Sequence, residues 1–268
     1  MIGAIAGDII GSRFEKHNYK GKDFELFDQF CRFTDDTVMT CAAAHALITD
    51  RDYVKSYRDF YKMYPGRGYG PKFRMWAAGT INGPYQSFGN GSAMRVSPVA
   101  WSYDLLADVL VEAKRSAEVS HNHPEGIKGA QCLAAVIFLG RTGKSKLEIR
   151  NYVVNHFEYN LNFTLDSIRP KYRTDLSCQG SVPQAVVAFL ESENFADAIR
   201  NAISIGGDSD TIGAMTGAMA EAFYGGVPAE IVSEVWKHID SRLKEVVLNF
   251  NAEIKPYTLS HIQKKCCE

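Results

Sequence analysis

The stretch TDDTVMTCAAAHALI, residues 34–48, sets the reading of this chain. Val38, Met39, Ala42, Ala43, Ala46 and Leu47 repeat at one- and four-residue steps, which gathers them on one helix face. Thr34, Asp35 and Asp36 stand before that face, where a helix N-terminus welcomes a hydroxyl cap and negative charge. The same grammar recurs outward from this segment. Leu105, Leu106, Val109, Leu110 and Ala113 form another face, and Pro124 opens a helix that carries Ile127, Cys132, Ala135, Val136 and Leu139 up to Gly140. Val182 to Leu190, Phe195 to Ile205, Thr211 to Tyr224 and Ala229 to Leu248 also read as helices. Gly225 and Gly226 end one of these and Pro228 starts the next. No run of alternating β-branched residues bounded by hairpin turns competes with them. The expected fold class is all-α, a single domain over residues 1–268.

Composition bounds what such a domain does. Thirty basic against 31 acidic residues leave a formal charge of −1, so no broad nucleic-acid footprint is evident. No run approaches the ~20 apolar residues that span a bilayer. Met1 to Ile10 is apolar but lacks a basic leader and contains Asp8, so it reads as part of the folded protein. The six cysteines form no C-x-x-C pair, and the Cys266-Cys267 ending is no prenylation signal. Scattered thiols point to a reducing, cytoplasmic setting, with a monomer as the default state. Loops are expected over Glu15 to Arg32, Pro65 to Gly70 and His156 to Gln179. Glycines at four-residue spacing, Gly3, Gly7 and Gly11 and again Gly213 and Gly217, suit helices whose backbones approach closely.

Two acidic clusters carry the chemistry. In Thr34-Asp35-Asp36-Thr37 a helix cap is the plainer reading. In Gly206-Gly207-Asp208-Ser209-Asp210-Thr211, two carboxylates and two hydroxyls crowd into four positions, more than one cap needs. Carboxylates two residues apart suit a hard cation such as Mg²⁺ or Ca²⁺, and cap and metal site are both open there. If the clusters meet, four negative charges face one another, and two divalent cations would neutralise them. Gly89-Asn90-Gly91-Ser92-Ala93-Met94 begins like a dinucleotide fingerprint but has Met94 where the last glycine belongs. A glycine-rich loop feeding a helix from about Ala93 still exposes N–H groups to an anion. His121-Asn122-His123-Pro124 holds too few ligands for zinc, and no Ser-His-Asp or Cys-His arrangement can be argued, Cys178 included.

Four motifs in order, Gly7-Asp8-Ile9-Ile10-Gly11, Thr34 to Thr37, Gly89 to Arg95 and Gly206 to Thr211, make the chain resemble the ADP-ribosylglycohydrolase family, almost to Gly226. The resemblance implies a many-helix orthogonal bundle with two Mg²⁺ ions in a cleft, Mn²⁺ being the alternative ion. It implies Thr34, Asp35 and Asp36 as metal ligands from one side and Asp208, Asp210 and Thr211 from the other. Glu15 matches a glutamate that some members place near the metals as a gate or catalytic helper. Gly89, Asn90, Gly91, Ser92 and Met94 would lie along the ADP-ribose, and His121 would touch the ligand. Arg67, Tyr69 and Phe88 are candidates for a diphosphate partner and an adenine-stacking ring. Glu221 stands where relatives often have a small residue, and a changed surface or packing contact is expected there.

The expected reaction is metal-dependent hydrolysis that frees ADP-ribose from a protein side chain or small molecule, with Asp35 or Asp36 as the base. The acceptor linkage is not legible: arginine, serine, an acyl ester, a nucleobase and a drug all fit. The rivals are a Mg²⁺-dependent hydrolase of another phosphate-containing metabolite and a non-catalytic ADP-ribose-binding relative.

Overall fold

The computed structural model describes residues 1–254; Cys266 and Cys267 lie outside the described residues. Among the described residues there are fifteen helices and no strand, only an isolated bridge between Gly89 and Ser177. The first eight helices are α1 (Ile2–Gly11), α2 (Asp35–Ile48), α3 (Tyr53–Met63), α4 (Pro71–Ala77), α5 (Gly91–Met94), α6 (Ser97–Trp101), α7 (Leu106–Glu118) and α8 (Pro124–Arg141). They are followed by α9 (Lys146–Phe157), α10 (Leu165–Ile168), α11 (Cys178–Leu190), α12 (Phe195–Ser204), α13 (Ser209–Phe223), α14 (Ala229–His238) and α15 (Ser241–Ile254). None is long and apolar enough to cross a membrane.

Helices α1 and α13 form the centre. Every residue of α1 is buried, as is α13 from Ser209 to Ala222. A helix surrounded on all sides by protein needs small or apolar residues around its whole circumference, which these two sequences supply. They run antiparallel with their glycines interleaved. A Cβ on Gly3 would lie 2.3 Å from the Gly217 carbonyl oxygen, on Gly7 1.9 Å from that of Gly213, and on Gly11 2.4 Å from that of Ser209. The two glycine stripes are therefore each other's partners. At the far end of this contact Glu221 is no surface residue: it is 4 % exposed, and its Oε2 accepts from the Gly3 N–H at 2.8 Å. The same oxygen lies 2.7 Å from the Met1 ammonium. The Glu221 carboxylate thus satisfies one of the N–H groups that the start of α1 leaves without an intrahelical acceptor.

Local capping explains most helix starts. Thr34 accepts from Asp36 N–H, His123 caps α8 with Pro124 behind it, and Ser145 with Glu148 builds a capping box on α9. Caps also explain where boundaries differ from the periodicity. The expected Ala229–Leu248 helix is two helices, because Asp240 Oδ1 accepts from the N–H groups of Arg242 and Leu243, both at 3.0 Å, and starts α15. Helix α11 begins at Cys178, four residues before the expected Val182, since Ser177 accepts from Gly180 N–H and tolerates Pro183 within the helix. The glycine-rich segment turns helical at Gly91 rather than Ala93. Within the expected loop from His156 to Gln179, Thr164 and Ser167 cap the short helix α10.

Replacing a helical glycine by alanine ordinarily stabilises a helix by roughly 0.5–1 kcal/mol. At Gly7 the sign reverses, because the methyl meets backbone that no rotamer can move. Urea unfolding should show Gly7→Ala destabilised by about 1–3 kcal/mol. Gly70→Ala, where an added Cβ meets nothing within 4 Å, should stay within about 0.5 kcal/mol of the parent.

Candidate metal and substrate site

The antiparallel α1–α13 contact brings the end of α1 against the start of α13, and the start of α2 joins them. Oxygens of Asp8, Asp36 and Asp210, all buried, lie within 4.8 Å of one another. The two acidic clusters, 175 residues apart between Asp36 and Thr211, therefore meet: Thr211 Oγ1 donates to Asp36 Oδ2 at 3.1 Å. Asp208 is the N-cap residue of α13 yet its side chain caps no helical N–H. Its Oδ2 instead accepts from Asn90 Nδ2 at 2.6 Å, tying the glycine-rich Gly89–Gly91 loop to the acidic cluster.

The three clustered aspartates are not equivalent. Asp8 accepts from the N–H groups of Thr34 (2.9 Å) and Thr37 (3.0 Å) and from both threonine hydroxyls. Three of these donors converge on Oδ2 and only the Thr34 hydroxyl reaches Oδ1, so Asp8 orients the start of α2 through Oδ2 and keeps acceptor capacity on Oδ1. Asp36 Oδ1 and Asp210 Oδ1, by contrast, are buried and have no hydrogen-bond partner. Asp8 has no place in the expected ligand set, although it occupies the acidic position of the opening Gly-Asp-x-x-Gly motif.

Electrostatics sharpen the picture. Burial first, and then the neighbouring carboxylates, push Asp36 and Asp210 well above the usual range. Asp35 rises to about 8, chiefly by burial and then by the charge of Asp8. Asp208 rises to about 6, through burial opposed by its bond from Asn90. Asp8 rises too, by burial. Among the described residues none of these five aspartates has a lysine, arginine or histidine within ion-pair distance. Buried carboxylates without a cationic partner are either protonated or hold metal. Two unpartnered hard oxygens, with threonine hydroxyls beside them, fit a small divalent cation.

A cleft of about 1000 Å³ opens over this cluster. Glu15, Thr34, Asp35, Asp36, Asp208, Asp210 and Thr211 line it, together with Gly89, Asn90, Gly91, Met94 and His121. Tyr69 and Ser92 do not. Tyr69 is buried, donates to Tyr64 O at 3.0 Å and stacks on Phe73 at 5.7 Å. Ser92 is buried and donates to Gly126 O at 2.7 Å, pinning α5 to α8. Arg67 lines the cleft with its guanidinium 3.8 Å from the Phe33 ring centre, and Phe88 stands half-exposed, edge-on to His123, outside the lining. The loop bearing Glu15 is anchored to the acidic segment: Asn18 Oδ1 accepts from Gly207 N–H at 3.1 Å, and Lys20 Nζ donates to Tyr172 O at 2.8 Å and to Ile205 O. Cys178 is no nucleophile, for burial pushes its thiol up to about 12.

The family model described as ADP-ribosylglycohydrolase matches residues 1–256. The ADP-ribosylhydrolase ARH3 of Homo sapiens is 26 % identical, over 88 % of this chain and 86 % of that protein. The ADP-ribosylarginine hydrolase Tri1 of Pseudomonas putida is 31 % identical over 59 % of this chain and 45 % of its own length. A solved structure, an ADP-ribosylglycohydrolase-related protein complex, superposes with a TM-score of 0.72. It covers 93 % of this chain and 95 % of that one at 23 % identity, a likeness of fold.

Two predictions follow from the acidic cluster. Its aspartates are raised above their unfolded values, so the folded metal-free protein binds protons more tightly than the unfolded chain. That stability is full below about pH 4 and is lost as pH rises through about 6 for Asp208 and about 8 for Asp35. Thermal melts in EDTA should therefore fall in Tm between pH 5.5 and 8.5, with Mg²⁺ restoring Tm most at the alkaline end. A flat profile without Mg²⁺ response would refute the metal reading. Asp8→Asn should weaken Mg²⁺ binding about 10–100-fold by calorimetry, since its carboxylate orients the Thr34 side of the cluster.

Proposed function

The chain belongs to the ADP-ribosylglycohydrolase family, and on that premise we propose that it hydrolyses the glycosidic bond between ADP-ribose and an acceptor with the help of two Mg²⁺ ions. The observation that carries this is the pair of buried, unpartnered oxygens, Asp36 Oδ1 and Asp210 Oδ1, on residues lining a cleft that the Gly89–Gly91 loop also lines. Thr34, Asp35 and Asp36 would hold metal from the α2 side, and Asp208, Asp210 and Thr211 from the α13 side. When bound, the cations supply Lewis-acid polarisation of water and of the ribose hydroxyls.

The chain's own groups do the rest. Asp36 Oδ2 accepts from the Thr211 hydroxyl at 3.1 Å, which suits a fixed ligand, while the single Thr34 hydroxyl proton goes to Asp8 at 2.7 Å. Asp35, less buried and facing the cleft, is better placed to take the proton of the attacking water. Water adds to the anomeric carbon of the distal ribose, and the acceptor leaves with a proton. The Gly89–Gly91 backbone, Met94 and His121 would lie along the ADP-ribose. Glu15, on the loop latched by Asn18 and Lys20, would close the mouth or assist the base. Four buried free cysteines, Cys31, Cys41, Cys132 and Cys178, support a reducing, cytoplasmic setting.

The test is release of free ADP-ribose from serine-linked and arginine-linked peptides, with Mg²⁺ or EDTA, by wild type and Asp210→Asn. Metal-dependent release that falls at least about 100-fold in the variant is expected, as for loss of a metal ligand. Release that ignores EDTA would overturn the metal mechanism. Turnover of other phosphate esters but of neither peptide would move the reading to a phosphohydrolase.

A further inference from the structure

Arg95 is the residue at this site for which the reaction has so far found no use. Its side chain is fully buried, yet among the described residues it has no carboxylate within ion-pair distance. Nη2 donates to Ser116 O at 3.2 Å and to Ser120 Oγ at 2.9 Å, while Nε and Nη1 have no acceptor. The guanidinium carbon stands 4.2 Å from the Tyr57 ring centre, and the residue borders the cleft. A buried cation without a counter-ion is expensive to keep, and arginine does not shed its proton to relieve the cost.

Ser120 passes this arrangement on. Its hydroxyl is fully buried and has two neighbours, Arg95 Nη2 and His121 Nδ1, the latter at 2.8 Å. Arg95 only donates, so Ser120 Oγ accepts from it. The hydroxyl proton then has one acceptor available, His121 Nδ1, and pointing it elsewhere would leave a buried donor unpaired. Nδ1 is thereby an acceptor, and the imidazole carries its hydrogen on Nε2. That Nε2 makes no hydrogen bond within the described residues. It lies over the glycine loop, 3.1 Å from where a Gly91 Cβ would stand and 3.7 Å from the corresponding point at Gly89. Any side chain at Gly91 would crowd it.

We propose that Arg95 and Ser120 are positioning residues that lock His121 as a neutral imidazole with its proton on Nε2, a fixed donor aimed into the cleft at an oxygen of the ligand's diphosphate. The assignment of the diphosphate rests on the glycohydrolase reading above; the lock itself does not. Burial and the Arg95 charge also hold the imidazole well below the usual histidine range, so the donor stays neutral. A phosphate oxygen at this point would meet one aimed N–H and the field of an otherwise uncompensated guanidinium. A neutral donor also avoids adding a second buried cation beside Arg95.

Nitrogen-15 spectra of the histidine-labelled protein read the tautomer directly, with His121→Gln assigning one signal among the seven histidines. Wild type should show a protonated Nε2 and a bare Nδ1 at His121 from pH 5.5 to 8.5. Ser120→Ala deletes one oxygen and leaves Arg95 its bond to Ser116 O; it should mix the two tautomers and raise the KM and the ADP-ribose Kd about tenfold, with a smaller change in kcat. A protonated Nδ1 in wild type overturns the lock. So does a Ser120→Ala protein in which tautomer and Kd are both unchanged. A wild type that keeps the Nε2 proton but binds no ADP-ribose with Mg²⁺ present supports the lock and overturns the diphosphate assignment, together with the reading of the site beneath it.

Discussion

The backbone-to-backbone contact of α1 with α13 is the constraint on which the rest depends. With no side chain between Gly7 and Gly213, the two helices are held closer than any larger residue allows. That contact has no slack, and a slide along either helix would drive carbonyl oxygens into the α-carbons opposite. The register it fixes decides where Asp8 stands on α1 and where Asp208, Ser209, Asp210 and Thr211 enter α13. Asp8 then passes the same register to α2 through Thr34 and Thr37. Three helices are thus indexed to one another by glycine contacts and one carboxylate, and the proposed metal ligands inherit that precision.

Two opposite charge deficits meet at the cleft. One is the set of five raised aspartates with no cationic partner among the described residues, four of them lining the cleft; the other is Arg95, which also lines it and has no anion within ion-pair distance among those residues. A protein selected for stability alone would bring such groups together or replace them with apolar residues. Here they stand apart, each at odds with the folding free energy, and each suited to part of a ligand that combines hydroxyls held by cations with an anionic diphosphate. On the proposed function, the conflict between stability and activity is built into the same side chains.

How much of this the sequence discloses depends on the range of the interaction. Helix periodicity and caps are local, so α2, α7, α8, α12 and α13 are legible to within a few residues from residue spacing alone. The break between α14 and α15 is missed because the apolar spacing continues across it, while the deciding bonds run from the side chain of Asp240 to backbone. The two glycine stripes are visible, but which backbone each one meets is a long-range fact. Likewise Asp8 and Asp36 are both present in plain motifs, yet only geometry separates the carboxylate tied to the start of α2 from the one with an unpartnered oxygen. Tyr69 and Ser92 sit among cleft-lining neighbours in sequence and turn inward in space, since adjacent residues point in different directions.

The bond from Asn90 to Asp208 carries the last step. It joins the loop proposed to lie along the diphosphate to the segment proposed to hold metal, across 118 positions of sequence, in a buried setting. Asn90 Nδ2 donates to one oxygen of Asp208 and so favours its charged form, the form that binds a cation. His121 stands over the same loop, held through Ser120 by Arg95. A shift of the Gly89–Gly91 loop on ligand binding would therefore be felt at Asp208 and at His121 together. The proposed metal ligands are thus hydrogen-bonded to the glycine loop, and His121 is packed against that same loop, so the loop is the element the two halves of the proposed site share.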